Sequence, residues 1–166
     1  MLFNSFEFLL FLPLTLCVYY LLRHGTRNAF LLAASYFFYG SWDWRFLGLL
    51  LLSTIVDFHC GKAISGARGP ARKKFLLLSL CTNLSILGVF KYYGFFVDSF
   101  RDFISVLGGN WSDSTTLSIV LPVGISFYTF QTLSYTIDVY RGRLEPCKNP
   151  INFALFVAYF PQLVAG

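Results

Sequence analysis

The stretch FLLLSLCTNLSILGVFKYYGFFV, residues 75–97, is an apolar run whose only charged residue is Lys91. A helix needs about 20 mostly apolar residues to cross the hydrocarbon core of a bilayer. This run meets that requirement, so it predicts a transmembrane helix. A strongly basic segment precedes it and a polar segment that starts with Asp98 follows it, which gives the helix a water-facing connection at each end.

Other apolar runs predict a bundle of spans rather than a single anchor. Together with 75–97, the predicted spans lie near 2–22, 29–40, 46–61, 117–140 and 150–166. The runs 29–40 and 46–61 are short and flank the turn-like stretch GSWDWR. They are either two short, tilted spans or one long helix broken at Gly40. The run 2–22 lacks a basic n-region and is predicted to remain as the first span rather than to be cleaved as a signal.

The composition indicates the same class of protein. Hydrophobic residues make up 56% of the chain and charged residues 13%, whereas soluble domains are roughly a quarter charged. A chain this short has too much surface to bury the excess in one core. We therefore predict an all-α integral membrane protein, built as a multi-helix transmembrane bundle.

The basic residues cluster in three connections. Ten of the 13 Lys and Arg residues lie in segments 23–28, 62–74 and 141–149. With six crossings and the N-terminus outside, these segments share one side, as the positive-inside rule requires. The net charge of +5 is therefore interpreted as membrane orientation, and no nucleic-acid partner is expected. This pattern favours two short spans over one broken helix.

The segment LPVGISFYTFQTLSYTIDVYRG, residues 121–142, is the predicted span richest in polar residues. At 100° per residue, one arc of this helix carries Gln131, Ser134, Asp138 and Arg141, bordered by Tyr128 and Tyr135. Polar groups in a membrane are costly and need a partner or a task. The arc is either the lining of a cavity or tunnel, or a helix-packing seam in which Asp138 and Arg141 pair at the cytoplasmic interface.

The remaining candidates are isolated residues. Lys91 is either a buried partner for an acid or a ligand, or a lysine that snorkels to the interface, which is the simpler interpretation. Asp57 and His59 are interpreted as an interfacial polar pair. Neither His24 nor His59 has a nucleophile beside it by sequence spacing, so no catalytic residue is predicted. The cysteines form no C-x-x-C pair, and no metal site is predicted.

Residues 121–142, read with NFALFVAYFPQLVAG at 152–166, resemble the membrane-bound O-acyltransferase family, in its bacterial alginate O-acetyltransferase branch. Weaker matches in the family's order are LFNS at 2–5, ASYFFY at 34–39 and FKY at 90–92. The resemblance implies a multi-pass enzyme of the bacterial inner membrane, whose helices form part of a ring around a tunnel. It implies acyl transfer from a cytoplasmic donor, acetyl-CoA or an acyl-carrier thioester, to a cell-surface polysaccharide such as alginate or to a carrier protein.

The resemblance also implies that the catalytic histidine lies beyond residue 166, because neither His24 nor His59 matches its context. We expect the chain to be the N-terminal part of a longer enzyme, inactive alone and without a bound cofactor. Expected partners are the bilayer and other polysaccharide O-acetylation or export proteins. The alternatives are a non-catalytic scaffold subunit of a polysaccharide-export complex, and a transporter with a polar pathway along 128–141. The lack of a hydropathy repeat between the halves argues against the transporter.

Overall fold

The computed structural model describes residues 5–41, 43–107 and 124–165, and this part of the chain contains helices and no β-strand. The helices are α1 (Phe6–Leu21), α2 (His24–Gly40), α3 (Trp44–Gly66), α4 (Pro70–Val106), α5 (Ile125–Tyr140), α6 (Pro150–Ala158) and α7 (Phe160–Ala165). Both α3 and α4 are long and apolar enough to cross a bilayer, and α1 is a shorter apolar helix. The predicted fold class is confirmed: the chain is an all-helical membrane protein.

Local sequence sets several helix boundaries. The Asp43 carboxylate accepts a hydrogen bond from the Arg45 N–H (2.9 Å) and caps the start of α3. The Asn149 side chain does the same for the Ile151 N–H (2.9 Å) at the start of α6, where Pro150 takes the first helical position. Such caps satisfy N–H groups that have no partner within the helix.

Helices α3 and α4 run antiparallel. Ser53 of α3 lies 2.6 Å from Asn83 of α4, and Asp57, one turn further along α3, lies 2.6 Å from Ser79, one turn earlier in α4. The connection between them, residues 67–69, is short enough to require this hairpin. It turns at Gly69, whose φ of 60° is in the left-handed region that glycine tolerates.

The three basic connections lie at the same end of the bundle. Arg72, in the first turn of α4, donates from Nη2 to the carbonyl of Tyr140 at the end of α5 (2.7 Å). Asn28, near the start of α2, donates from Nδ2 to Oδ1 of Asn152 near the start of α6 (2.9 Å). These contacts bring the segments 62–74, 23–28 and 141–149 together, as six crossings would require.

Helices α2 and α3 are separate helices that point in opposite directions, because α2 starts at the basic end of the bundle and α3 ends there. The chain leaves the helix after Gly40 and turns back within a few residues to start α3. The structure therefore contains two helices in this region and not a single long helix with a break.

Helix α4 is longer than the predicted span 75–97. Its 37 residues extend about 55 Å at 1.5 Å per residue, whereas the hydrocarbon core is about 30 Å thick. Residues 98–106 are helical, which corrects the prediction that a connection begins at residue 98. No proline or glycine interrupts this segment, and Phe100, Phe103 and Ile104 recur at helical spacing. The rest of that connection, up to residue 123, lies outside the described residues.

The predicted last span, 150–166, is broken at Tyr159, which separates α6 from α7. Pro161 accounts for the break, because a proline lacks an N–H and its ring clashes with the carbonyl four residues earlier. The core lies where α3, α5 and α6 meet, around the completely buried Leu50, Ile64, Tyr128 and Val157. The outer faces carry exposed apolar side chains, among them Leu9, Leu14, Phe37, Leu78 and Phe130.

Candidate functional site

Six polar side chains meet where α3, α4 and α5 pack together. Each helix contributes two residues spaced i, i+4, which lie one turn apart on the same helix face. The residues are Ser53 and Asp57 of α3, Ser79 and Asn83 of α4, and Thr132 and Thr136 of α5, and all are buried. This group is called the Asp57 cluster below.

The Asp57 carboxylate accepts short hydrogen bonds from two neutral side chains, and the hydroxyl of a third lies nearby. Asn83 Nδ2 lies 2.9 Å from Oδ1 and 2.8 Å from Oδ2, and the Ser79 hydroxyl lies 2.6 Å from Oδ1. The Ser53 hydroxyl is 3.4 Å from Oδ2. No lysine, arginine or histidine forms an ion pair with Asp57 within the described part of the chain. The carboxylate is therefore held by hydrogen bonds alone.

Asn83 connects all three helices. Its Nδ2 donates to Asp57 of α3 and to the Ser79 carbonyl of its own helix (3.0 Å). Its Oδ1 accepts from the Ser53 hydroxyl (2.6 Å) and from the Thr132 hydroxyl of α5 (3.4 Å). The carboxylate fixes the orientation of this amide, because Oδ1 facing Asp57 would bring two acceptors together.

The cluster is sealed between helices, which determines what it can do. Asp57 and Ser79 are completely buried, so no acceptor or donor molecule reaches them in this arrangement. The two histidines lie elsewhere, so the cluster has no histidine base beside its serine hydroxyls. A buried carboxylate is costly unless it is fully hydrogen-bonded. The cluster therefore serves to hold α3, α4 and α5 in one register.

Tyr135 packs beside the Asp57 cluster at a glycine. A Cβ added to Gly61 would lie 2.8 Å from both Cε1 and the hydroxyl oxygen of Tyr135, so α3 approaches this ring more closely than any other residue type permits. The Tyr135 hydroxyl accepts from the Cys147 N–H (3.0 Å), and the ring centroid lies 4.7 Å from that of Phe153. Tyr135 thus joins α3, α5 and α6.

Tyr128 lies two turns before Tyr135 and is also completely buried. Its hydroxyl, like that of the adjacent Thr129, has no hydrogen-bond partner within the described residues. The two tyrosines predicted to border the polar arc are therefore both inside the bundle.

The residues of the predicted polar arc lie mostly on the outer surface of the bundle. Ser134 and Arg141 are exposed, and Gln131 and Asp138 are half-buried. Gln131 Nε2 donates to the Phe156 carbonyl of α6 (2.7 Å), which is a helix-to-helix contact. The buried polar residues of α5 are instead its threonines, Thr129, Thr132 and Thr136.

The expected ion pair between Asp138 and Arg141 is not formed. The only ion pair within residues 5–41, 43–107 and 124–165 joins Arg101 to Asp98 (3.8 Å). Arg141 is the exposed C-cap residue of α5, where an ion pair gains little over hydration. The chain then turns at Gly142 (φ 72°), and the Asp138 carbonyl accepts from the Arg143 N–H (2.9 Å). The Gly142 N–H also donates to the Val139 carbonyl (3.1 Å). Such a pair of bonds across a left-handed glycine ends many helices.

The interpretation of Asp57 and His59 as an interfacial pair is wrong. Asp57 points into the cluster, whereas His59 is exposed and its Nδ1 lies 2.8 Å from the Ile55 carbonyl. Residues two apart on a helix point in nearly opposite directions, which separates the two side chains. His24 is exposed beside Arg27 (3.2 Å). Lys91 is exposed on α4 with its Nζ 5.7 Å from the Tyr92 ring centroid, away from the cluster.

The comparisons with known proteins confirm the predicted resemblance to membrane-bound O-acyltransferases, because the chain is similar to a part of proteins of that type. It is 45% identical to a probable alginate O-acetylase AlgI of Pseudomonas aeruginosa and 44% identical to one of Azotobacter vinelandii, each over 169 residues. It is 32% identical over 198 residues to a peptidoglycan O-acetyltransferase of Helicobacter pylori. No protein-family model and no solved structure matches the chain.

These alignments take in 100% of the chain but 32% to 36% of each of these relatives. The chain therefore spans about a third of the length of the curated relatives it matches.

Proposed function

We propose that this chain is the N-terminal part of a membrane O-acyltransferase that acetylates hydroxyl groups of a cell-surface polysaccharide such as alginate, or of a carrier protein. The observation that carries the proposal is the 43% to 45% identity, over the whole chain, to probable alginate O-acetylases. The relative named for peptidoglycan supports transfer of the same group to a second glycan polymer.

The expected chemistry is attack of an acceptor hydroxyl oxygen on the thioester carbonyl of a cytoplasmic donor, acetyl-CoA or an acyl-carrier thioester, with the thiol as leaving group. A histidine base would take the hydroxyl proton. We place that histidine beyond residue 166, as the family resemblance implies. His24 and His59 are both exposed, and neither forms a hydrogen bond to a serine, cysteine or carboxylate within the described residues. Residues 1–166 would then be inactive by themselves.

The role proposed for these residues is to build a rigid wall of the enzyme. The Asp57 cluster joins three helices through buried hydrogen bonds, and Tyr135 adds a fourth. Groups that act in transfer need a fixed frame, since small misplacements lower rates strongly. A tunnel lined by Gln131, Ser134, Asp138 and Arg141 would then lie between this wall and other parts of the protein.

The proposed location is the bacterial inner membrane, with the basic end of the bundle in the cytoplasm and the N-terminus outside. The support is the meeting of the three basic connections at one end, opposite the start of α1. A cytoplasmic thioester donor would approach from this end. Other proteins of polysaccharide O-acetylation or export would receive the acetyl group on the outer side.

The test is incorporation of labelled acetate into surface polysaccharide by a deletion strain. Complementation with the full-length gene is expected to restore the label, and complementation with residues 1–166 alone is not. Loss of the gene without loss of label would exclude the transferase function. The scaffold subunit would then be the better interpretation. Restoration by residues 1–166 would instead overturn the placement of the histidine.

A further inference from the structure

One end of the bundle carries a large positive charge with almost no acid to offset it. The ten basic residues there are Arg23, Arg27, Lys62, Arg68, Arg72, Lys73, Lys74, Arg141, Arg143 and Lys148. Glu145 is the one acidic residue of the same three connections. The nearest further carboxylate, Asp138, is half-buried in the last turn of α5. These ten residues are called the basic face below.

Three members of the basic face have partners within the protein. Arg72 binds the Tyr140 carbonyl, Arg27 donates from Nε to the Leu22 carbonyl (3.0 Å), and Lys62 Nζ lies 4.3 Å from the Phe58 ring centroid. The other seven side chains are exposed and have no hydrogen-bond, ion-pair or aromatic partner within the described residues. They are Arg23, Arg68, Lys73, Lys74, Arg141, Arg143 and Lys148.

Helix stability does not account for the placement of these charges. Lys73 and Lys74 follow Arg72 in the first turns of α4, which contain no acid. The N-terminus of a helix is the positive end of its dipole, so cations there are unfavourable. No carboxylate of the described chain compensates for this. A negative charge from outside the protein would compensate for these cations at the start of α4.

The surroundings of the basic face place it at the boundary of the bilayer. Tyr20 and Leu21, at the end of α1, are 72% and 85% exposed, and Leu144 beside Arg143 is 48% exposed. Such apolar side chains next to basic ones match the depth where acyl chains meet headgroups. The charges are spread over three connections rather than gathered in one pocket, so they suit several neighbouring headgroups better than one compact soluble anion.

We propose that the basic face binds the phosphate groups of anionic phospholipids, which supply the counter-charge that the described part of the chain lacks. The Arg72–Tyr140 bond keeps two of the three connections together, so the face is a fixed surface. Lipids selected in this way would form a shell around one end of the protein. The proposal concerns lipid selection and does not depend on the transferase activity.

The test measures the association of spin-labelled phosphatidylglycerol and phosphatidylcholine with the full-length protein in bilayers that contain both lipids. We expect phosphatidylglycerol to be favoured by about five-fold, the gain that one basic residue near an anionic surface supplies. The double variant K73Q/K74Q should move the ratio towards one. The matched control R45Q/K91Q removes two exposed basic residues at the opposite end and should keep the wild-type ratio.

Two further arms keep the test decisive. High salt should lower the wild-type preference, because it screens exposed charges, and R141Q/R143Q provides a second charge-removal variant where K73Q/K74Q does not fold. Equal association of the two lipids with the wild type, or equal losses in the variant and the control, would overturn the proposal. Abolition of the preference by excess coenzyme A would also overturn it, since the face would then bind a soluble phosphate compound.

Discussion

Asn83 Nδ2 lies 2.9 Å and 2.8 Å from the two carboxylate oxygens of Asp57, so one amide of α4 spans a whole carboxylate of α3 inside the bundle. The contact links a buried acid to a neutral partner rather than to a base. The stability of the buried Asp57 carboxylate therefore depends on how many neutral donors stay in place. Each donor can be tested by substitution.

Asn83→Leu is expected to destabilise the protein by about 1.5–3 kcal/mol, the range for losing a hydrogen bond to a charged group. Asp57→Asn should cost less, because no buried charge remains. Thermal unfolding in a neutral detergent measures both. The double variant Asp57→Leu/Asn83→Leu should be more stable than Asn83→Leu alone. Replacing both partners with apolar groups removes the buried carboxylate that Asn83→Leu leaves without its donor. A double variant no more stable than Asn83→Leu would contradict the described contact.

Gly61→Ala is expected to lower stability by about 1–3 kcal/mol, the usual range for overpacking. The new methyl group would meet the Tyr135 ring at 2.8 Å, and Tyr135 is held on its other side by Cys147 and Phe153. The control is Gly48→Ala in the same helix, where nothing lies within 4 Å of the added Cβ. That change should be neutral or slightly stabilising. An unaltered melting temperature for Gly61→Ala would show that Tyr135 does not pack against α3 in this way.

Arg72→Gln should cost about 1.5–3 kcal/mol, the range for a hydrogen bond made by a charged group. The change removes the Nη2 bond to the Tyr140 carbonyl, which joins α4 to the end of α5. Lys73→Gln, at an exposed neighbouring position, is expected to stay within about 0.5 kcal/mol of the wild type. Unfolding curves for the two variants should therefore differ clearly. Equal unfolding curves would mean that the Arg72–Tyr140 hydrogen bond does not contribute to stability.

Asp138→Asn and Arg141→Ala are expected to have additive effects on stability, within about 0.5 kcal/mol. The two side chains form no ion pair, although their spacing of three residues permits one. A double-mutant cycle on folded yield or melting temperature measures the coupling. Coupling well above that limit would show that the pair forms in the membrane.

The orientation of the bundle is tested with single cysteines in a version without the native ones. A cysteine at Ser65, exposed at the basic end of α3, should resist an impermeant thiol reagent in intact cells. A cysteine at Ser99, exposed on the far part of α4, should react readily. The reverse pattern would invert the proposed topology.

The helices were predictable to the extent that apolar runs and breakers define them. The apolar run 75–97 predicted the central part of α4. The turn-like stretch after Gly40 predicted the boundary between α2 and α3. The extension of α4 to Val106 was missed, because charged residues at 98–102 looked like the start of a loop although they interrupt no helical pattern. The break at Tyr159 had a visible signal in Pro161.

The site was harder to predict, because periodicity describes one helix at a time. Asp57 finds its partners 22 and 26 residues away, on another helix, and its position near His59 in sequence says nothing about them. A usable signal was present: α3, α4 and α5 each carry a pair of small polar residues spaced i, i+4 within an apolar run. Three such pairs in neighbouring spans predict a shared polar contact, whereas the Gln131–Arg141 arc appeared richer but faces outward.

The hairpin of α3 and α4 also has a consequence for how the protein is made. When α3 leaves the ribosome, its Asp57 carboxylate has only the distant Ser53 hydroxyl of the same helix as a donor (3.4 Å). A charged residue at mid-helix raises the cost of insertion by roughly 3 kcal/mol on translocon-based scales. Ser79 and Asn83, which meet that need, follow after the short turn at 67–69. The translocon would therefore have to keep α3 out of the lipid until α4 arrives, so that the two helices enter the bilayer together.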